Sequence, residues 1–228
     1  MATETEVTLA GLAAHLKGLS FSRVVTWLVD HHTWSPTVAN YCGISTVRGI
    51  RNYHMNVRGW SDNGYHITVG PDGKVFLCRP MRRSGGHCIA RNADSIGVSI
   101  IGNYDAARDM FWGSAGHKAY VSVLALLAAR FRIDPATRMG PHARWDPKTC
   151  PGTSITQQWG RLVQEVRAAM VNEISSPSLK VFMGDGTAVE CRPRLENGVT
   201  RCDLRPVAQR LDAEVDIEQW PIIVLRTH

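Results

Sequence analysis

Paired cysteines are missing from this chain. It holds six cysteines, at positions 42, 78, 88, 150, 191 and 202, and no two form a CxxC pair. That spacing excludes zinc ribbons and thioredoxin-like redox motifs, and the density is far below that of a disulfide scaffold. Also missing is any apolar run of about 18 residues, so no segment reads as a membrane-spanning helix. The opening stretch MATETEVTLAGLAAHLKG has no basic n-region, and His15 and Lys17 interrupt its apolar part. The expectation is therefore a soluble protein made in the cytoplasm without a secretory signal. Neither an internal repeat nor a low-complexity tract is present.

What the chain does have is ordinary globular composition, 44% hydrophobic and 20% charged over 228 residues. That excludes intrinsic disorder, and the length corresponds to about one and a half domains. A net charge of +6 favours polyanionic surroundings, a class shared by nucleic acid, anionic lipid and bacterial wall polymer. The basic residues are scattered, with no run dense enough for a nucleic-acid arm, so nucleic acid is not expected as a partner.

Periodicity suggests alternating strands and helices. Residues 8–18 carry a loose helical stripe of Leu9, Leu12 and Leu16. The β-branched run Val24 to Val29 reads as a buried strand ending at the polar cluster Asp30-His31-His32-Thr33. Ser35-Pro36 is a helix-start signal ahead of Val47, Ile50, Tyr53 and His54. Tyr65 to Val69, the turn Gly70-Pro71-Asp72-Gly73 and Lys74 to Leu77 form a hairpin pattern. Ile96 to Ile101 is a second buried strand. Helical stripes follow over His117 to Arg132 and from Ile155 to Met170, the latter with Ser154 as N-cap. The expected fold is α/β, a mixed central sheet flanked by helices over residues 1–174. A small polar linker (175–179) then leads to a small α+β domain (180–228). In that domain a hairpin, an Asn197-Gly198 turn, a helix from Asp203 through Leu211 and a strand Ile222 to Leu225 are expected.

The densest chemical signal is Gly140-Pro141-His142-Ala143-Arg144-Trp145-Asp146-Pro147-Lys148-Thr149-Cys150-Pro151-Gly152. It sets an imidazole and a thiol in one Pro/Gly-rich loop, able to meet one cation at roughly 2.0–2.3 Å. A third donor must come from elsewhere, and His31 at the strand end is the natural candidate. Three protein donors with an open fourth position is the layout of a catalytic zinc. On spacing alone, however, a His and a Cys in one loop are more often ordinary surface and core residues.

Five blocks in order carry a more specific signal: VVTWLVDHHT (24–33), GWSDNGYHITVGPDGKVF (59–76), GGHCIARNADSIGVSIIGNY (85–104), GPHARWDPKTCPG (140–152) and the following helix. Together they resemble the zinc-dependent N-acetylmuramoyl-L-alanine amidases, the family of T7 lysozyme-type endolysins and peptidoglycan recognition proteins. The resemblance implies zinc as cofactor, with His31, His142 and Cys150 as its ligands, and bacterial peptidoglycan as partner. It implies Tyr65 and Lys148 as catalytic groups, His87, His32 and Arg79 as substrate-binding residues, with a ligand-supporting role as the alternative for His87, and Arg79 and Trp60 in cleft wall and core. His32 neighbours the site, with packing or a supporting hydrogen bond as its simplest role. His66 is expected on the other side of its strand from Tyr65, and His54 and His117 are expected to be structural. Trp34 stands where the family more often has a small residue, and Asn63 where a branched apolar residue is usual.

The C-terminal segment resembles the small stalk-type domain named after the N-terminal domain of copper amine oxidases, which wall-associated bacterial proteins carry. It implies no copper, and a wall-binding or dimerising role competes with that of a passive appendage. Cys191 and Cys202 could pair across it, although a cytoplasmic origin argues for free thiols. The implied activity is hydrolysis of the bond between N-acetylmuramic acid and L-alanine, in a phage or prophage endolysin that acts on the wall after release. Two readings compete with it: a non-catalytic muropeptide-binding module, and a cytoplasmic amidase acting on anhydro-muropeptides in wall recycling. A zinc hydrolase acting outside the wall stays open as well.

Overall fold

The computed structural model describes residues 4–174 and four short strands beyond them, Leu179–Phe182, Ala188–Cys191, Pro193–Glu196 and Val199–Cys202. The first part is built around the strand β2, Trp27–His32, whose six side chains are all buried. In chain order the elements are β1 (Thr5–Val7), α1 (Leu9–Lys17), β2, α2 (Ile44–Asn52), β3 (Ile67–Val69), β4 (Val75–Leu77) and β5 (Ser95–Ile100). They continue with α3 (Ala115–Phe131), α4 (Pro135–Arg138), β6 (Met139–Pro141), α5 (Thr153–Thr156) and α6 (Trp159–Ile174). The six strands form one mixed sheet in the order β1-β4-β3-β5-β2-β6. The pairs β1–β4 and β3–β4 are antiparallel, whereas β3–β5, β5–β2 and β2–β6 are parallel. Helices flank the sheet, as parallel central strands require if both faces are to be kept from water.

Helix α3 supplies the largest apolar face. Ser114 caps it through a 3.0 Å bond from the His117 N–H, and Tyr120, Val123, Leu124, Leu127 and Ala128 are buried along it. The Tyr120 hydroxyl lies 3.0 Å from Asp30 Oδ1 and 3.1 Å from the Val98 carbonyl, tying the helix to β2 and β5. Helix α2 lays Val47 and Ile50 on Phe76, Cys78 and Ile101, with Tyr65 packed at the edge of that cluster.

Several expectations are corrected. The strand expected at Val24 to Val29 begins three residues later and runs through His32; Val24 is 75% exposed. Pairing decides this over composition, because β5 begins at Ser95 and Asp94 O accepts from the N–H groups of both Thr26 and Trp27. No helix starts at Ser35-Pro36; a single turn at Val38–Asn40 intervenes and α2 starts at Ile44. Ser154 is not an N-cap but lies inside α5, its hydroxyl donating to Tyr104 O at 2.7 Å, and the stripe from Ile155 breaks before α6. Tyr65 and His66 precede β3 rather than lying in it. Three-residue strands such as β1 and β6 are too short to show a period.

The chain divides into two units, Met1–Arg167 and Ala168–His228. In the second, β7 (Leu179–Phe182) pairs antiparallel with β8 (Ala188–Cys191), and β9 (Pro193–Glu196) with β10 (Val199–Cys202). The hairpin expected from Leu179 to Met183 and Ala188 to Cys191 corresponds to β7 and β8, Leu179 opening the first strand. The expected helix from Asp203, the strand Ile222 to Leu225, the other linker residues and the pairing of Cys191 with Cys202 lie outside the described residues.

Candidate metal centre

The parallel register explains why chemistry collects at one end of the sheet. Strands β2 and β6 run side by side with Asp30 opposite Pro141, so the next residue on each, His31 and His142, emerges at the same carboxyl edge. Their ring centroids are 4.6 Å apart. The loop after His142 folds back through a 2.8 Å bond from the Ala143 N–H to Cys150 O. Asp105 clamps the far side, accepting from the Thr149 hydroxyl at 2.9 Å and the Thr153 N–H at 3.1 Å. Gly152 has φ +113°, and a Cβ there would run into the backbone of Tyr104. Beneath the loop, Trp145 packs edge-on against Trp27, ring centroids 5.2 Å apart, with the Arg144 guanidinium over both rings.

His31, His142 and Cys150 are all buried, and one donor atom of each lies within 4.8 Å of the others. Cys150 Sγ is 3.5 Å from His31 Nδ1. Nitrogen and sulfur on one tetrahedral zinc would be separated by about 3.5 Å, given metal–ligand bonds near 2.0 and 2.3 Å. Burial pushes the pKa of His31 well below the ordinary histidine value, and the neighbouring His87, His142 and His32 push the same way. His142 is also lowered, by burial first and then by Lys148. Both rings therefore offer neutral lone pairs, the form that binds metal. Burial pushes the Cys150 thiol up to about 12 in the absence of a cation, a preference that a bound divalent ion reverses. The donor set fits zinc: two imidazoles, one thiol and a side open to the cleft.

That cleft measures about 580 Å³, and His31, His87, Tyr65, Lys148 and Cys150 line it. The Tyr65 ring centroid is 5.1 Å from that of His31, and burial raises its phenol pKa, keeping it protonated. Lys148 is exposed and lies 3.2 Å from Asp146 Oδ2, which is itself 3.0 Å from His142 Nε2 without hydrogen-bond geometry. His87 Nδ1 sits 3.0 Å from His31 Nε2. His32 reaches the cleft edge, and its Nδ1 accepts the Tyr104 N–H at 3.2 Å.

Arg79 does not line the cleft. Its guanidinium donates to Ser84 O and, at 3.0 Å, to Asn63 O, bracing two loops. His66 is likewise engaged, accepting from the Gly97 N–H at 3.0 Å and facing Arg83 O at 3.0 Å. His54 stacks on Trp60 at 4.6 Å and accepts from the Gly64 N–H. His117 lies at the start of α3, 2.6 Å from Glu165. The two departures noted above have different consequences. Asn63 Oδ1 accepts the Tyr65 N–H at 3.2 Å, holding that residue's backbone in place. Trp34 has φ +58° and borders both this cleft and an adjoining hollow of about 700 Å³ along α2. Sequence reasoning missed Asp146, four residues past His142 and readable as its partner, and Ser95, which carried no local signal.

Comparison with known proteins now decides the family. The profile of the family Amidase_2, N-acetylmuramoyl-L-alanine amidase, matches residues 21–153, more than half of the chain. The chain belongs to the N-acetylmuramoyl-L-alanine amidase family. The matched segment of this amidase-family chain contains all three candidate ligands together with Tyr65, His87 and Lys148. Peptidoglycan-recognition protein SC2 of Drosophila simulans is 32% identical over 141 residues, covering 60% of this chain and 73% of that protein. Human N-acetylmuramoyl-L-alanine amidase is 38% identical over 159 residues, which is 67% of this chain but 27% of the human protein. Among solved structures, wild-type Drosophila PGRP-LB superposes with a TM-score of 0.52 at 26% identity, covering 66% of this chain and 84% of that one. The amidase LysC from Clostridium intestinale shares the fold at 22% identity, with a TM-score of 0.54 and coverage of 65% and 89%.

Proposed function

We propose that the protein is a zinc-dependent amidase that hydrolyses the bond between the lactyl group of N-acetylmuramic acid and L-alanine in peptidoglycan. The observation that carries this reading is the convergence of His31, His142 and Cys150 at the floor of a cleft that also holds Tyr65 and Lys148. Zinc held by these donors supplies a Lewis acid and an acidified water. The Tyr65 phenol, kept protonated by burial, orients the attacking water through a hydrogen bond. Lys148, free to swing from Asp146, brings its ammonium to the oxygen that gains charge as the carbonyl becomes tetrahedral. Asp146 pairs with Lys148 and lies beside His142, placing the charge-stabilising group next to the metal loop. The setting we propose is a phage or prophage endolysin, made in the cytoplasm and acting on the wall after release.

The test is mass spectrometry of the soluble products formed from purified peptidoglycan, with and without a zinc chelator. Stem peptides bearing a new L-alanine amine, lost on chelation and restored by zinc, are the expected result. Intact sacculi that retain the protein would replace this reading with a binding module. Cleavage confined to small anhydro-muropeptides would move the activity to wall recycling.

A further inference from the structure

We infer that His87 is a positioning residue that fixes the tautomer of His31, as the middle link of a proton-ordered chain running from β5 to the metal site. This rests on the zinc reading of His31 given above.

The chain has three contacts. The Ser95 hydroxyl donates to Arg91 O at 2.6 Å, which occupies its only hydrogen. Ser95 Oγ also lies 3.4 Å from His87 Nε2, so toward the ring it can only accept. His87 therefore carries its proton on Nε2 and presents a bare Nδ1. That atom is 3.0 Å from His31 Nε2, which must then carry the His31 proton. A neutral His31 protonated on Nε2 has its lone pair on Nδ1, the nitrogen 3.5 Å from Cys150 Sγ. Each step follows from counting donors and acceptors, because a neutral imidazole has one of each.

Neutrality and placement both hold. His87 is buried, and burial disfavours a charged ring. The His87 ring is wedged beside Gly85 and Gly97, where a Cβ on either glycine would collide with it. Asn92 Oδ1 accepts from both the His87 and Cys88 N–H groups, at 2.8 and 2.9 Å, and locks the loop that delivers the ring. A ligand histidine anchored through its other nitrogen is the usual way in which the tautomer is set, and losing such an anchor costs about 10–100-fold in metal affinity.

Two measurements test this, and neither uses turnover. Long-range proton–nitrogen NMR on zinc-free, histidine-labelled protein should show His31 and His87 both protonated on Nε2. A His31 proton on Nδ1 would overturn the inference. Zinc affinity, measured by competition with a chromophoric chelator, should fall about 10–100-fold in His87→Leu and stay within a few-fold of wild type in His87→Asn, whose Oδ1 can take the place of Nδ1. Equal affinity in wild type and His87→Leu would overturn it. Should His87→Leu fail to fold, the NMR measurement on the wild type decides alone. Correct tautomers and tight zinc binding without peptidoglycan cleavage would sink the amidase reading and leave the chain intact.

Discussion

Asp30 on β2 stands opposite Pro141 on β6, and that register determines where two buried imidazoles come out. Because the two strands are parallel, His31 and His142 leave the sheet at the same edge, and a loop clamped by Asp105 and by the Ala143–Cys150 backbone bond brings the thiol to them. The arrangement is a case of ligands gathering at the carboxyl ends of parallel strands. Its consequences can be measured.

His142→Ala removes one of three donors but no hydrogen bond on which the sheet depends. Metal analysis after dialysis should show loss of zinc, and peptidoglycan hydrolysis should fall to background, while the melting temperature of the zinc-free protein shifts by only a few degrees. Near-normal turnover would remove His142 from the metal assignment.

Lys148 has a side chain 59% exposed and a carboxylate partner, so its removal should leave folding untouched. A charge that acts on the transition state alters kcat more than KM. Lys148→Ala should lower kcat by about 10²-fold, the scale of losing one oxyanion donor, with KM within about threefold. An unchanged kcat would return Lys148 to the ordinary solvated loop lysines.

Stability should fall with acid for a reason that lies outside the metal site. Burial depresses His54 to about 4 and His66 to about 3 in the fold, against 6.5 for the free side chain. Above pH 6.5 both states hold these rings neutral, and their contribution to stability is fully present. Below it the unfolded chain takes up protons that the native protein refuses, so stability drops by about 1.4 kcal/mol per pH unit for each ring until the native value is reached. His54→Asn keeps an acceptor for the Gly64 N–H. Urea unfolding of the zinc-free protein between pH 6.5 and 4 should show a slope shallower by up to one proton in that variant. Parallel slopes would contradict the assignment.

Gly152 combines φ +113° with a backbone pressed on Tyr104. Gly152→Ala should therefore destabilise by about 1–3 kcal/mol and weaken zinc retention, since Cys150 is two residues away. A melt indistinguishable from wild type would show that the loop relaxes freely.

Much of this was legible in the sequence, for identifiable reasons. The stripe from His117 to Arg132 lies within two residues of α3, because a long amphipathic helix repeats its signal over several turns. The turn at Gly70–Gly73 separates β3 from β4 where turn chemistry put it. By contrast, β2 extends into Asp30, His31 and His32, where composition suggested an end, because the Tyr120 hydroxyl and the Tyr104 N–H satisfy polar atoms inside the fold. Such partners are distant in sequence, as are Ser95 for His87 and Asn63 and Ser84 for Arg79. The charge of Arg79 is visible in a sequence, whereas the two carbonyls that accept from it are not.

The clamped loop between His142 and Cys150 has one more consequence. Backbone bonds, Asp105 and the Trp27–Trp145 contact shape it through atoms other than the three metal-donor atoms. Such a centre is expected to act as a socket and not as a staple, unlike small zinc domains that unfold when stripped. An apo form of this protein should thus survive chelation, storage and dilution with its architecture intact, and regain the ion on simple mixing, with no refolding step between the empty and the loaded states.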